Sequence, residues 1–439
     1  MSVSSKASFA INIVGHVSGN LGLGVLARDI TKALCDRQIP IAIFDVDPGA
    51  GRWKYDRRFE AYEAQDVDAL PYNVTLFMLS PPTLAEFVLA HPGLMLRNGV
   101  LNIAHTMWEL PVLPKVMRRT LGLFDALVAE SKFLQSTLEG SLPEMRTLYA
   151  EHPLHPLSGV VACREKFGLP EDAVVFVNSF DLHSDTVRKN PLAVIEAFKR
   201  GLGEDRRGFL VVKMNGSGKS EGTDRLIQQV REECRGHPRI RLLAESLPYG
   251  EVMNLYASCD VFVSLHRAEG LGLALMEAMS LGKPVIATSW SGNMSFMDET
   301  NSCLVGYELV PVEGSAEVYT ERFLGTKAHW AEPSIDEAAA WMKRLVDDAS
   351  LRACIGKKAA DSMRTYQTRA RRVGFVDELR GLWDGEWQGK WTAQARRAEL
   401  LRLERAMAPK AAGPARVLGN AIKKTLDRYL LWRFKAAGR

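Results

Sequence analysis

Short apolar runs alternate with amphipathic stretches along most of the 439 residues, and the alternation occurs twice. In the first half, runs with the composition of buried strands occupy residues 9–15, 39–47, 73–79, 100–106 and 125–131. Residues 149–159 then combine two prolines, two histidines and a glycine, which predicts a linker, and the alternation restarts after it. Because strands separated by helices form parallel sheets, the pattern predicts two doubly wound α/β domains that face each other across a ligand-binding cleft.

The two halves and the C-terminal segment divide the chain into three predicted parts. Residues 1–155 form the first Rossmann-like domain, and residues 156–385 form the second. Residues 386–439 form a helical tail of different composition. Residues 390–439 hold 13 Lys and Arg against three acidic residues, whereas the rest of the chain is mildly acidic.

The basic tail predicts two amphipathic helices and leaves three interpretations open. The first is ordinary packing of these helices on the body of the protein. The second is docking on an anionic membrane surface, with Leu430, Leu431, Trp432 and Phe434 as apolar anchors. The third is binding to nucleic acid, but no nucleic-acid-binding module is recognisable, so we expect no such partner.

The cysteines and the absence of long apolar runs predict a reducing, cytoplasmic environment. The six cysteines are scattered and form no C-x-x-C pair, which argues against a disulfide framework or a zinc site. No apolar run is long enough to span a membrane, and the first 15 residues lack the apolar core of a signal peptide.

The stretch GSGKS, Gly216–Ser220, resembles the end of a P-loop but lacks its first glycine. That glycine should lie five residues before Gly218, at the position that Lys213 occupies. The stretch also suits a solvated loop between a strand and a helix, so we expect neither ATPase nor GTPase chemistry.

A glycine-rich loop follows the first predicted strand and opens the first helix. Its spacing from Gly19 is G-x-x-G-x-G, not the G-x-G-x-x-G of dinucleotide-binding proteins, which leaves an NAD-type oxidoreductase as an alternative. In either case Gly22 and Gly24 would let a ligand approach backbone N–H groups at a helix N-terminus. Asp45 and Asp47 form an Asp-x-Asp motif that suits Mg²⁺, but we favour a polar end to the second strand and expect no bound metal.

The most specific motif is HRAEGLGLALMEAMSLGKPVIAT, residues 266–288. A buried strand is predicted to enter a loop with Glu269, Gly270 and Gly272, and the helix that follows carries Glu277. The glycines allow close backbone approach, and the helix N-terminus offers free N–H groups to a phosphate. The two carboxylates suit the hydroxyl groups of sugars, so positive charge for a polyphosphate must come from another segment.

The segment NSFDLHSDTVRKNP, residues 178–191, provides that positive charge. It follows the first strand of the second half and places Arg188 and Lys189 just before a helix. A cation in this position can neutralise charge on a leaving diphosphate. Solvated charges at the start of a helix would produce the same pattern.

These motifs resemble those of retaining glycosyltransferases of the family-four type. The match consists of E-G-x-G-x-x-x-x-E from Glu269 to Glu277, the following A-M-x-x-G-x-P-V-I-A-T, and FDLHSDTVRKNP with AFKRG. GHVSGNLGLG, MWELPVLP, TSWSGNMSFMD and WAEPSIDEAA are similar to further segments of the family. The resemblance extends over roughly residues 9–370.

The resemblance implies a GT-B fold and transfer of a sugar from a nucleoside diphosphate sugar, with retained anomeric configuration and without a cofactor or a bound metal. Residues 1–155 would be the acceptor-side domain and residues 156–385 the nucleotide-sugar-binding domain. By motif, Glu269 would contact the donor sugar, Glu277 the ribose and Lys189 the diphosphate.

The glycine loops on both sides of the cleft acquire roles from the same resemblance. The backbone N–H groups of Gly270, Leu271 and Gly272 would lie near the phosphate and the sugar. From the first domain, Gly22 and Gly24 would face the donor phosphate or the acceptor.

His105, in NIAHTMWEL, is a candidate contact to the transferred sugar because a strand of the first domain ends there at the cleft. A lone histidine is more often structural, and that alternative stays open.

The sequence departs from the family after the first strand of the second domain. Many members carry a Gly-Arg pair there, whose Arg helps to hold the diphosphate, whereas this chain has Ser179-Phe180-Asp181. Arg188 is a candidate replacement.

No nucleophile–base pair is recognisable, which favours a front-face substitution in which the leaving diphosphate takes the acceptor proton. The protein would then contribute orientation and stabilisation of charge. The basic tail favours a lipid-linked saccharide as the acceptor, as in cell-envelope polysaccharide assembly on the inner face of the membrane. A non-catalytic scaffold is a further alternative, against which the intact Glu269, Glu277 and Lys189 argue.

Overall fold

Two parallel β-sheets of six strands each form the core of the chain. The structure is a computed structural model, and it describes residues 9–49, 51–155, 157–182, 184–215, 221–315, 319, 328–384 and 391–408. The α/β class predicted from the alternating pattern is confirmed.

The first sheet has the strand order β2-β1-β3-β4-β5-β6. Its strands are β1 Ile11–Gly15, β2 Ile41–Asp45, β3 Val74–Met78, β4 Leu101–His105, β5 Ala126–Ala129 and β6 Thr147–Tyr149. The helices of this unit are α1 Gly22–Asp36, α2 Pro81–Ala90, α3 Pro92–Met95, α4 Lys115–Leu121 and α5 Lys132–Ser141, with short 3₁₀ helices at Glu60–Tyr62 and Val67–Ala69. Every residue of β1, β3 and β4 is buried, which explains why these strands are continuous apolar runs rather than alternating ones.

The second sheet has the strand order β12-β11-β10-β7-β8-β9. Its strands are β7 Val174–Asp181, β8 Gly208–Asn215, β9 Ile240–Leu243, β10 Val261–Ser264, β11 Val285–Thr288 and β12 Cys303–Val305. The helices are α6 Arg164–Phe167, α7 Thr186–Lys189, α8 Pro191–Leu202, α9 Glu221–Arg235, α10 Tyr249–Ser258, α11 Leu273–Ser280, α12 Ile335–Asp347 and α13 Ala349–Ala370, with a 3₁₀ helix at Gly292–Ser295.

Each sheet has one point at which the strand order reverses. In the first sheet the reversal lies between β1 and β3, and the glycine-rich loop follows β1. In the second sheet it lies between β7 and β10, and residues 182–190 and 265–272 follow these two strands. Loops diverge at such a point and leave a crevice that binds ligands in open α/β sheets. The topology therefore brings the two charged motifs of the second half to one place.

A small antiparallel pair was not foreseen from the sequence. Strands β13, Tyr307–Pro311, and β14, His329–Pro333, pair with each other outside both large sheets. Trp330 of β14 is buried in the same apolar cluster as Trp108 of the first unit. The pair thus extends from the second unit to the first and closes one side of the gap between them.

The last two helices of the described chain return to the first unit. In α14, Gly374–Asp384, Phe375 and Val376 are buried in the cluster that lines one face of the first sheet. In α15, Ala393–Met407, Leu400 and Leu403 are buried in the cluster on the other face.

This return differs from the predicted boundaries, which assigned residues up to 385 to the second domain and treated residues 386–439 as a separate tail. The amphipathic pattern of α14 and α15 specified that each helix has an apolar face, but not which unit covers that face. For residues 393–407 the structure agrees with ordinary packing on the body, and the predicted anchors Leu430, Leu431, Trp432 and Phe434 lie outside the described residues.

The described ranges contain neither a membrane-spanning helix nor a cluster of metal ligands. None of the helices there combines the length and the apolar composition that crossing a bilayer requires. No group of three or more His, Cys, Asp or Glu side chains in the same ranges could hold a metal ion.

Arg396 fixes α15 to the first unit through a buried ion pair. Its guanidinium donates to the Met95 carbonyl over 2.9 Å and to both carboxylate oxygens of Asp125 over 2.9 and 3.0 Å. We expect Arg396→Ala to lower the free energy of unfolding by about 3–5 kcal/mol, because Asp125 would be left buried without its cation. Urea denaturation measures the loss, with Arg397→Ala on the exposed face of the same helix as the control. Equal losses in the two variants would contradict this assignment.

Candidate functional site

The two charged loops meet at the reversal point of the second sheet. Nζ of Lys189 lies 2.5 Å from Oε1 of Glu269, and Nη1 of Arg188 lies 3.3 Å from the same oxygen. These side chains are about 80 positions apart in the sequence, and the parallel topology alone brings them together. The structure thus places the predicted carboxylate and the predicted cations in one cluster.

Glu269 is ionised in this cluster although it is buried. Burial alone would raise the pKa of its carboxyl group, but the charges of Lys189 and Arg188 lower that pKa to about 2. The main chain of this loop is fixed as well. The backbone N–H of Glu269 donates to Oγ of Ser291 over 2.7 Å, and the N–H of Gly292 donates to the Glu269 carbonyl over 2.9 Å. Glu269 is therefore a preorganised acceptor.

The two cations of the cluster differ in how accessible they are. Arg188 is only 4% exposed and donates to the Ala268 carbonyl over 2.6 Å and to Oγ of Ser184 over 2.8 Å. Its Nη2 also lies 3.6 Å from Oε1 of Glu109, a residue of the first unit. The side chain of Lys189 is 23% exposed. Lys189 is thus the cation that an incoming anion reaches first.

Arg188 is surrounded by anionic and polar groups from three segments. Burial alone would lower its pKa, but Tyr319, Glu109 and Glu269 raise that pKa above its ordinary value. The Tyr319 hydroxyl donates to Oε2 of Glu109 over 2.6 Å, so the segment near the β13–β14 pair supports the same carboxylate. The charge of Arg188 is compensated within the protein.

The loop Gly270–Gly272 leads directly into α11. Gly272 precedes the helix with a φ of 99°, a left-handed conformation that favours glycine. The first N–H groups of a helix have no partner inside it, so those of the loop and the first turn can bind an anion. A side chain at Gly270 would approach the Trp108 carbonyl to 3.4 Å, so this loop lies against the first unit. Leu271 between the two glycines is buried.

Glu277 lies further along α11 and faces a different neighbour. The Tyr249 hydroxyl donates to its Oε1 over 2.9 Å. Burial raises the pKa of Glu277 to about 8, and the charge of Asp29 in α1 acts in the same direction. Its carboxyl group is therefore largely protonated at neutral pH while no ligand is bound.

Asp29 belongs to a buried network of charged groups that the sequence did not reveal. Nε2 of His152 lies 2.9 Å from Oδ2 of Asp29, and its Nδ1 lies 3.1 Å from Oε1 of Glu130. Burial alone would lower the pKa of His152, but Glu130 and Asp29 raise it to about 10. Burial alone would raise the pKa of Glu130, but His152 and His105 lower it to about 2. The sequence placed His152 only in the linker, where its partners were not apparent.

His105 belongs to this network and not to the Glu269 cluster. Its Nε2 lies 2.9 Å from Oε1 of Glu130, and its ring stacks on Phe375 with centroids 6.3 Å apart. The side chain is buried. His105 thus has a carboxylate partner within the protein, which agrees with a structural role. A contact of His105 to the transferred sugar stays a prediction.

The glycine-rich loop after β1 is shaped by backbone packing. A side chain at Gly24 would lie 2.2 Å from the Gly19 carbonyl, so only glycine fits there. Gly22 begins α1, and nothing lies within 4 Å of where its side chain would be. Asp45 accepts from the backbone N–H of Ser18 over 2.9 Å, which agrees with a structural role for the Asp-x-Asp motif. The GSGKS stretch lies outside the described residues.

Residues 164–307 match the family model described as Glycosyl transferases group 1. The chain carries a group 1 glycosyltransferase domain. This domain contains the Glu269 cluster and Glu277, and the match confirms the prediction of a glycosyltransferase and favours it over an NAD-type oxidoreductase. The match covers about a third of the chain.

One curated protein is similar in sequence to part of this chain. The sulfoquinovosyl transferase SQD2 of Arabidopsis thaliana is 28% identical over 128 residues, which is 29% of this chain and 21% of that protein. The chain thus spans about a fifth of the relative that it matches.

The architecture is similar to solved structures over most of the chain. Sucrose-phosphate synthase from Thermosynechococcus elongatus has a TM-score of 0.61 at 16% identity, covering 86% of this chain and all of that one. Anabaena Alr3699/HepE in complex with UDP has a TM-score of 0.56 at 15% identity, covering 85% and 100%. At this identity the likeness shows the fold alone, and it confirms the predicted GT-B architecture.

The network of Asp29, Glu130 and His152 predicts a specific dependence of stability on pH. The pKa of His152 is raised from 6.5 to about 10, so its contribution is fully present below pH 6.5 and disappears as the pH rises to about 10. We expect this contribution to be on the order of 5 kcal/mol. Unfolding free energies of the wild type and His152→Gln, measured between pH 6 and 10, should converge towards pH 10. The control is His237→Gln, because His237 lies outside this charged network. A constant difference in unfolding free energy between wild type and His152→Gln would contradict the assignment.

Proposed function

We propose that the protein is a retaining glycosyltransferase that moves a sugar from a nucleoside diphosphate sugar to a saccharide or a lipid-linked saccharide. The observation that carries this proposal is the Lys189–Glu269 pair, which lies beside the glycines that open α11. A carboxylate for hydroxyl groups, an accessible cation and free backbone N–H groups are what a sugar joined to a diphosphate requires. Structures of the same fold have been solved with UDP and with UDP-glucose.

Each group of the site has one task in this proposal. Glu269 accepts hydrogen bonds from the donor sugar, and Lys189 binds the diphosphate. The N–H groups of Gly270, Leu271 and Gly272 approach the phosphate and the sugar. Glu277 accepts from the ribose hydroxyl groups in place of the Tyr249 hydroxyl.

The contacts of Lys189 favour a change of partner during the reaction. Before the donor binds, Lys189 is paired with Glu269. A diphosphate that enters the cleft offers Lys189 a second anion, and Glu269 then accepts from the sugar. The positive charge next to the leaving group is thereby already in place, so little reorganisation is needed when that group leaves.

The reaction that follows is a front-face substitution. The bond between the anomeric carbon and the diphosphate oxygen breaks, and the acceptor oxygen forms a new bond on the same face. The acceptor proton passes to the departing diphosphate. In this scheme the protein orients the two substrates and stabilises negative charge, and it needs neither a nucleophile nor a cofactor of its own.

The acceptor and the place of action rest on charge. The excess of basic residues in 390–439 supports binding to an anionic membrane surface and a role in cell-envelope polysaccharide assembly on its cytoplasmic side. Helix α15 covers the first unit with one face and exposes Arg397 and Arg405 on the other, where Glu404 is also exposed and Arg402 is paired with Glu399. This exposed face leaves part of the excess charge available to such a surface.

The donor class is tested by thermal stabilisation. We expect one of UDP, GDP and ADP, together with its sugar conjugate, to raise the melting temperature, because a ligand that binds only the folded state stabilises it. NAD and ATP with Mg²⁺ serve as controls. Stabilisation by either of these alone would refute the proposal.

Glu277 should make nucleotide binding depend on pH. Because the pKa of Glu277 is raised to about 8, ribose binding to its carboxylate requires loss of a proton. We expect affinity for the nucleoside diphosphate to rise about tenfold between pH 7 and 9. Titration calorimetry measures the rise, and Glu277→Gln should bind more weakly and lose the dependence. A variant with unchanged affinity and the same slope would rule out the ribose contact.

Lys189 should matter more for turnover than for donor binding. We expect Lys189→Ala to lower kcat about 100-fold, a typical cost of removing one group that stabilises transition-state charge. The donor affinity should fall much less. Lys199→Ala is the matched control, since this lysine pairs with Glu233 on the surface. Sugar transfer at the wild-type rate by Lys189→Ala would disprove the role.

A further inference from the structure

The diphosphate site lacks one cation where the family resemblance expects an arginine. At the end of β7 the chain has Asp181, whose charge is of the opposite sign. Arg188 does not fill the gap, because its guanidinium is buried and already contacts Glu269, Glu109 and two uncharged oxygens. Lys189 alone would face a group with two or more negative charges.

A cation of the first unit reaches this position from across the cleft. Nη1 of Arg52 lies 3.8 Å from Oδ2 of Asp181, near the outer limit of an ion pair. The side chain of Arg52 is only 15% exposed, and its buried Nε has no hydrogen-bond partner among the described atoms. A partly buried guanidinium with an unused donor gains stability when an anion completes its hydrogen bonds.

The backbone around Arg52 is fixed to the glycine-rich loop. The N–H of Asn20 donates to the Arg52 carbonyl over 3.0 Å. The N–H of Tyr55 donates to the Ser18 carbonyl over 3.0 Å, and the N–H of Lys54 donates to Oγ of Ser18 over 2.9 Å. Arg52 therefore extends from a rigid support beside the free N-terminus of α1.

Asp181 can release Arg52 without becoming an isolated charge. Lys213 of β8 lies close enough to interact electrostatically with Asp181. Its ammonium group is held in place by the Glu245 carbonyl over 2.8 Å. Asp181 thus interacts with a second cation besides Arg52, and an anion in the cleft can take the guanidinium from it.

We propose that Arg52 binds the diphosphate of the donor, exchanging the Asp181 carboxylate for phosphate oxygens and supplying the cation that β7 lacks. This inference rests on the proposed function. A guanidinium suits the task because its planar donors match two phosphate oxygens at once. The donor would then be held by cations of both units, Lys189 from the second and Arg52 from the first.

The test compares binding of nucleoside diphosphates and of the corresponding nucleosides by titration calorimetry. UDP, GDP and ADP are the probes, each with uridine, guanosine or adenosine as its phosphate-free counterpart. We expect Arg52→Ala to weaken binding of the preferred diphosphate at least about tenfold and to leave nucleoside binding unchanged. Arg52→Lys should recover part of the loss, because it restores the charge but not the paired donors.

Two further variants make the outcome specific. Asp181→Asn removes the competing carboxylate and should tighten diphosphate binding. Arg57→Ala removes an exposed arginine of the same loop, paired with Glu60 over 3.4 Å, and should change neither affinity. Thermal melting of each variant checks that it is folded.

The outcomes separate this inference from the proposed function. Diphosphate binding of equal strength in wild type and Arg52→Ala overturns the role of Arg52 and leaves the glycosyltransferase proposal intact. An equal loss of nucleoside and diphosphate affinity also overturns it, since the effect would then not depend on phosphate. A wild type that binds none of the three diphosphates overturns the proposed function and this inference with it.

Discussion

The buried guanidinium of Arg188 is the contact around which both sides of the cleft are organised. A buried charge is costly unless it is paired. Arg188 is paired with Glu269 of the second unit and Glu109 of the first, and it also donates to the Ala268 carbonyl and to Oγ of Ser184. The position of Glu269 therefore depends on a network that includes both units.

The charges of the cleft fall into two groups with different consequences. Arg188 and the His152–Glu130 pair are buried and compensated by the protein, so they fix geometry. Lys189 and Arg52 are partly accessible; Lys189 is paired with Glu269 within the second unit, and Arg52 faces Asp181 across the gap. An anionic ligand competes most easily for this second group, because its present partners offer few hydrogen bonds.

The sequence predicted the parts of the structure that depend on local pattern. Strands and helices followed from apolar periodicity, and the placement of Lys189 and Glu269 in loops beside one cleft followed from the rule that ligands bind at the carboxyl ends of parallel strands. Their direct contact was not predicted. The pairing of His105 with Glu130 depends on β5 lying directly beside β4, and the apolar periodicity of the two strands does not specify that order. Periodicity likewise does not specify the positions of Glu109 and Tyr319, which contact Arg188 and each other only through the packing of two units.

Helices α14 and α15 have a consequence for how the chain is made. They complete the first unit, yet they are synthesised after the entire second unit. The surfaces that Phe375 and Leu403 cover stay open while that unit emerges from the ribosome, and exposed apolar surface during synthesis invites aggregation or chaperone binding. Closing this long loop also carries an entropic cost that the last contacts must overcome. A premature stop after residue 370 would thus damage the unit that was translated first, and leave the later one with its sheet and its helices complete.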